Sequence, residues 1–126
     1  MRIALCTKTM EFVDGNFNKS KYFMIYDITL KGVKFVEVRE PEQVKVVLDS
    51  DEIDVRIDAI SDCKMVFCSH IPRTSKARLL NRGIFTVWMR HEREIGEMLE
   101  ELIEHLRTNP PPMIKKILEE EELNTL

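Results

Sequence analysis

The sequence predicts a single α/β domain built on a mixed sheet, and three observations carry that reading. Aromatic and β-branched stretches come first, separated by turn residues. From about residue 51 the apolar spacing turns helical, and helical stretches then alternate with two short, continuous apolar runs. The 126 residues are 44% hydrophobic and 33% charged, the balance of a soluble domain large enough for its own core. The order is β-β-β, then α-β-α-β-α.

Residues 2–7 are mostly apolar and form the first strand. V-D-G-N-F-N-K-S-K (13–21) is a loop, rich in Gly, Asn and Ser. Y-F-M-I-Y-D-I (22–28) and V-K-F-V-E-V (33–38) flank a K-G turn and pair as an antiparallel hairpin. P-E-Q-V-K-V-V-L (41–48) reads either as a short helix or as another extended piece. Ile53, Ile57 and Ile60 mark a helix, with Ser50 as its N-cap and acidic Asp51 and Glu52 in the first turn. M-V-F-C (65–68) is a strand of the kind buried on both faces. Thr74 caps a short helix stopped by Gly83, and I-F-T-V-W-M (84–89) is the next buried strand. Ile95, Met98, Leu99, Leu102, Ile103 and Leu106 form the clearest amphipathic helix, which N-P-P-P (109–112) ends. The domain therefore spans 1–108. Residues 109–126 form a tail, amphipathic over Met113–Leu118 and then frayed and solvated through the acidic run 119–122.

Composition excludes several functions. Cys6, Cys63 and Cys68 are odd in number and lack paired spacing, which argues against a disulfide framework and for a reducing compartment. Three thiols are also fewer than the four that usually hold an iron–sulfur cluster. No apolar run spans a bilayer and the start is too short for a signal peptide, so the expected location is cytoplasmic, with no membrane partner. A net charge of −3 disfavours nucleic acid as a partner. The charge is uneven: Arg73, Lys76, Arg78, Arg82, Arg90 and Arg93 face only Glu92 within 73–93, and an acidic helix follows. No Gly-rich phosphate loop, nucleophile elbow or paired strand carboxylates are present, so no enzyme is expected.

Ligands of open α/β sheets collect beyond the carboxyl ends of parallel strands. Two such ends are Cys6–Lys8 and V-F-C-S-H-I-P (66–72). In extended chain Cys68 and His70 project to the same side. Each has a bland alternative, a buried apolar thiol and a surface loop imidazole. Cys6 and Cys63 read foremost as core. Thr74 and Ser75 open a helix whose free N–H groups attract anions, and Arg73 and Lys76 add charge there. A basic rim with soft ligands suits an anionic, sulfur-rich guest.

V-D-G-N-F-N-K-S-K-Y-F-M-I-Y-D, R-I-D-A-I-S-D-C-K-M-V-F-C and T-S-K-A-R-L-L-N-R-G-I, in this order and spacing, resemble the dinitrogenase iron–molybdenum cofactor biosynthesis family, especially its NifX-like branch. The resemblance implies a ribonuclease H-like five-stranded sheet of order 3-2-1-4-5, with an antiparallel hairpin edge and helices on its faces. It also implies a non-catalytic carrier that binds iron–sulfur or iron–molybdenum cofactor precursors transiently. Its partners would be nitrogenase assembly scaffold proteins, and it would be a monomer or weak dimer. Cofactor contacts are then expected from Cys68, His70, Arg73, Thr74, Ser75, Lys76, Cys6 and Asn16, with Cys68 and His70 as metal ligands. Asn16 and Asn18 stand where the family has His and Gly, and Pro72 where it has Gly. Two other readings stay open: a metal-free interaction module docking through its acidic helix and tail, and a phosphate or nucleotide binder.

Overall fold

The structure, a computed structural model, describes residues 1–41 and 52–124. Strands β1 (Arg2–Thr7), β2 (Tyr22–Thr29) and β3 (Gly32–Arg39) come first. Then follow α1 (Glu52–Ala59), β4 (Met65–Cys68), α2 (Arg73–Asn81), β5 (Phe85–Trp88), α3 (Ile95–Thr108) and α4 (Pro112–Asn124). The sheet order is β3-β2-β1-β4-β5. β2 is antiparallel to β1 and β3, whereas β4 is parallel to β1 and β5. The mixed sheet and strand order match the sequence expectation.

Alternation along the strands divides the core into two layers. Ile3, Leu5, Ile28, Met65 and Phe67 face α3 and α4 through Met98, Leu99, Leu106 and Leu118. Ala4, Cys6, Phe23, Ile25, Val66 and Cys68 face the other way, toward Ile57, Ile60 and Leu79. The result is a helix–sheet–helix sandwich with β1 at the centre of the sheet and β4 beside it. At one side, Arg2 donates to Asp27 and Asp62, and Arg39 donates to Asp62 and to the Ala59 carbonyl. This ties three strands to the end of α1, and Arg39 holds the Asp62 carboxyl well below the usual carboxylate range.

The structure corrects several local expectations. Helix α2 begins at Arg73 with Pro72 as N-cap, so Thr74 lies inside the first turn and caps nothing. The fixed φ of proline suits a helix entrance without a side-chain acceptor. β5 is an edge strand, with Trp88 exposed, because nothing in the sheet pairs with its outer side among the described residues. The acidic run 119–122 is helical rather than frayed: α4 continues to Asn124, and its Leu118 is buried in the first core layer. Gly83, at φ +76°, occupies the left-handed position expected after α2. Ser50, Asp51 and most of the 41–48 segment lie outside the described residues.

Candidate functional site

The carboxyl ends of β1 and β4 lie side by side, and the Asp14–Ser20 segment covers them. Gly15 N–H donates to the Cys6 carbonyl (3.1 Å), Ser69 N–H to the Gly15 carbonyl (3.0 Å) and Phe17 N–H to the His70 carbonyl (2.9 Å). Asn16 and His70 form an isolated parallel bridge, so the segment runs like a fragment of strand beside the exit of β4. Its approach to β1 is close: a Cβ on Gly15 would stand 2.8 Å from the Cys6 carbonyl carbon and from Ser20 Cβ. Glycine is required there by contact, not by a special φ.

Local bonds shape this cover. The buried Asp14 carboxylate accepts from Lys8 N–H (2.7 Å) and Thr7 Oγ1 (3.2 Å), and Thr7 Oγ1 accepts from Met10 N–H. Asn16 turns the chain by accepting from Asn18 N–H through Oδ1 (2.9 Å) and from Ser20 N–H through its carbonyl (2.7 Å). Two helices then clamp it. Arg56 of α1, buried, donates from Nε to the Phe17 carbonyl (2.6 Å) and from Nη2 to the Ser20 carbonyl. Its guanidinium also lies over the Phe17 and Phe23 rings. Ser75 of α2, equally buried, donates to Asn18 Oδ1.

The predicted site residues divide into two depths. Cys6 and Cys68 are wholly buried beneath the segment and stand together. Burial pushes the Cys6 thiol up, and its S–H directed at Cys68 draws the Cys68 thiol down. His70, Arg73, Thr74 and Lys76 are exposed on the rim, Asn16 is half-buried and Ser75 is buried. Cys68 and His70 therefore do not share an open surface. Among the described residues no three His, Cys, Asp or Glu side chains converge as a metal site. Cys63 lies apart, with its thiol pushed up to about 12 by burial and by Asp62.

Three contributors went unread in the sequence. Arg56 is not among the candidate residues that the sequence offers, although its place beside Ile57 on the inward stripe is a signal. Asn18 stands out in the sequence only as a departure from a family glycine. The apolar run 84–89 predicts a buried Trp88, yet it is 58% exposed at the same rim, with Nε1 donating to the Ser69 carbonyl (3.0 Å) and Arg90 stacked on its ring.

The rim also carries positive charge. Arg2, Arg39, Arg78, Arg82 and Arg93 are all ion-paired elsewhere. Lys8, Lys19, Arg73 and Lys76, which surround the exits of β1 and β4, form no ion pair among the described residues. Free cations next to the α2 N-terminus make a surface for an anion.

Known proteins share this chain's pattern. A NifX protein from Sinorhizobium fredii is 28% identical over 124 residues, covering 94% of this chain and 78% of that protein. A NifY protein from Azotobacter vinelandii is 29% identical over 118 residues, covering 94% of this chain but 48% of the relative. The crystal structure of PH0822 superposes with a TM-score of 0.64 at 27% identity, covering 82% of this chain and 88% of that one. A Thermotoga protein at 19% identity shares the fold with a TM-score of 0.57, over 88% of this chain and 97% of its own. The family model described as dinitrogenase iron-molybdenum cofactor matches residues 1–105, and the chain belongs to that family, with a role in nitrogenase cofactor biosynthesis.

Proposed function

We propose that this protein is a non-catalytic carrier that holds an iron–sulfur or iron–molybdenum cofactor precursor at the β1/β4 rim and passes it to an assembly scaffold protein. The observation that carries the reading is the group of unpaired cations, Lys8, Lys19, Arg73 and Lys76, around the exposed His70 and the first turn of α2. An anionic cluster is drawn by charge and by the Thr74 and Ser75 N–H groups, and His70 offers one imidazole to an iron. The half-buried Asn16 borders the cargo. Cys6 and Cys68 reach it only when the Asp14–Ser20 segment lifts, so docking begins without thiolate bonds. Few direct ligands and several weak electrostatic contacts suit a cargo that must be released. The strand order with its antiparallel hairpin edge also supports reading the sheet as ribonuclease H-like.

The test is anaerobic titration with a biosynthetic cluster precursor at rising ionic strength. The combined variant Arg73→Ala/Lys76→Ala should bind more weakly and with a shallower salt dependence. Unchanged affinity and salt slope would remove the rim from the account.

A second reading rests on the acidic faces of α3 and α4, where Glu97, Glu100, Glu101, Glu104, Glu119 and Glu120 are exposed. Such a surface suits docking on a basic partner without metal. Because Leu118 is buried in the core, charge reversal at Glu119 and Glu120 tests it better than truncation. Loss of scaffold capture with retained cluster binding would assign docking to the helices and carriage to the rim.

A further inference from the structure

The parallel register pairs Ile3 with Met65, Ala4 with Val66 and Leu5 with Phe67, and Cys6 and Cys68 come next in line. Both are fully buried and belong to one core layer with Phe17, Phe23 and Leu79. Neighbouring strands lie about 4.8 Å apart. A thiolate–metal bond is about 2.3 Å, so a linear sulfur–metal–sulfur bridge spans about 4.6 Å. Two thiols on the same face of adjacent strands match that span.

We propose that Cys6 and Cys68 form a closed two-thiol site for a single monovalent, thiophilic ion of the copper(I) class, entered when the Asp14–Ser20 segment lifts. Sulfur donors select soft ions. No third His, Cys, Asp or Glu donor converges there among the described residues, so an ion content with two ligands fits, whereas tetrahedral zinc or iron does not. Binding replaces two S–H protons by one cation, 2 RSH + M⁺ → [M(SR)₂]⁻ + 2 H⁺, with no change of oxidation state. The product carries one negative charge in an apolar layer. Arg56 is placed to offset it, since the guanidinium lies within electrostatic reach of Cys6 and favours its thiolate. The same arginine holds the covering segment through Phe17 and Ser20, so cover and counter-charge are one side chain. This site lies beneath the exposed rim and stands whether or not the rim carries a cluster.

The test uses the full chain under argon with silver(I) as a stable monovalent probe. One silver per chain should survive desalting, with two protons released per silver. Cys6→Ala and Cys68→Ala should each weaken binding at least a hundredfold, and Cys63→Ala should leave it unchanged. Wild-type protein with phenylarsine oxide, which bridges two adjacent thiols with loss of one water, makes the test independent of variant folding. Peptide mapping should place one arsenic across Cys6 and Cys68. Silver binding that survives Cys6→Ala, or an arsenic adduct absent from or lying outside this pair, would overturn the proposal.

Discussion

Ser75 Oγ donates to Asn18 Oδ1 over 2.5 Å, and by this contact helix α2 holds down the segment that covers the ends of β1 and β4. Ser75 is buried and Asn18 half-buried, so losing either partner leaves the other with a poorer substitute. Ser75→Ala and Asn18→Ala should each cost about 1 kcal/mol. Urea unfolding should show a lower midpoint at unchanged m. The double variant should cost little more than one single variant, because the two residues share one bond.

Arg56 clamps the same segment from α1. Removing a charged donor that serves two buried carbonyls costs more than losing one neutral bond, and Arg56→Met should destabilise by about 3 kcal/mol. Arg56→Lys should recover only part of this, because an ammonium cannot reproduce the planar fork that spans Phe17 and Ser20. Thermal unfolding of the two variants beside the parent checks both.

Gly15→Ala tests the close approach to β1. The added methyl meets the Cys6 backbone and Ser20 Cβ at 2.8 Å, neither of which is the far end of a flexible side chain. Overpacking of this kind costs about 2 kcal/mol. The variant should also protect the Gly15 and Ser69 amides less against hydrogen exchange, since the segment must move away to make room.

The pH dependence has two limbs. Arg39 and Arg2 depress the folded pKa of Asp62, so this carboxylate contributes stability above its unfolded pKa of about 4 and loses it as pH falls through the folded value. Asp62→Asn should be less stable than wild type at pH 6, and the gap should narrow in acid; with Asp62 exposed, solvent screening keeps that gap small. Cys63 is shifted the opposite way, to about 12. Its contribution is complete below the unfolded thiol pKa, about 8.5, and is lost progressively as pH rises toward the folded value. Cys63→Ala should therefore flatten part of the alkaline decline measured by denaturant titration.

Much of the fold was legible because period and turn chemistry agreed. The hairpin of β2 and β3, the buried M-V-F-C strand and the Ile95–Leu106 stripe all show in the sequence as they do in the structure. Boundaries failed where tertiary context decides. Pro72 rather than Thr74 opens α2, and the acidic run of α4 stays helical while Leu118 anchors it. β5 resembles β4 in composition, but its place at the sheet edge follows from strand order, which no local pattern encodes. The candidate site was legible by location: both strand exits and the α2 start were singled out. Its depth was not. Whether Cys68 faces a cleft or a core depends on the Asn16 segment lying over it, and that segment is held by Arg56 from a helix remote in sequence.

Carriage of a cluster at the rim would show as iron that travels with the protein. The purified chain, incubated anaerobically with a biosynthetic cluster precursor, is passed through gel filtration and analysed for iron and visible absorption. Iron and cluster absorption should co-elute with the protein, and both should diminish in the His70→Ala/Arg73→Ala/Lys76→Ala variant. Elution of iron-free protein, with all cluster absorption in the small-molecule fraction, would contradict carriage at the rim.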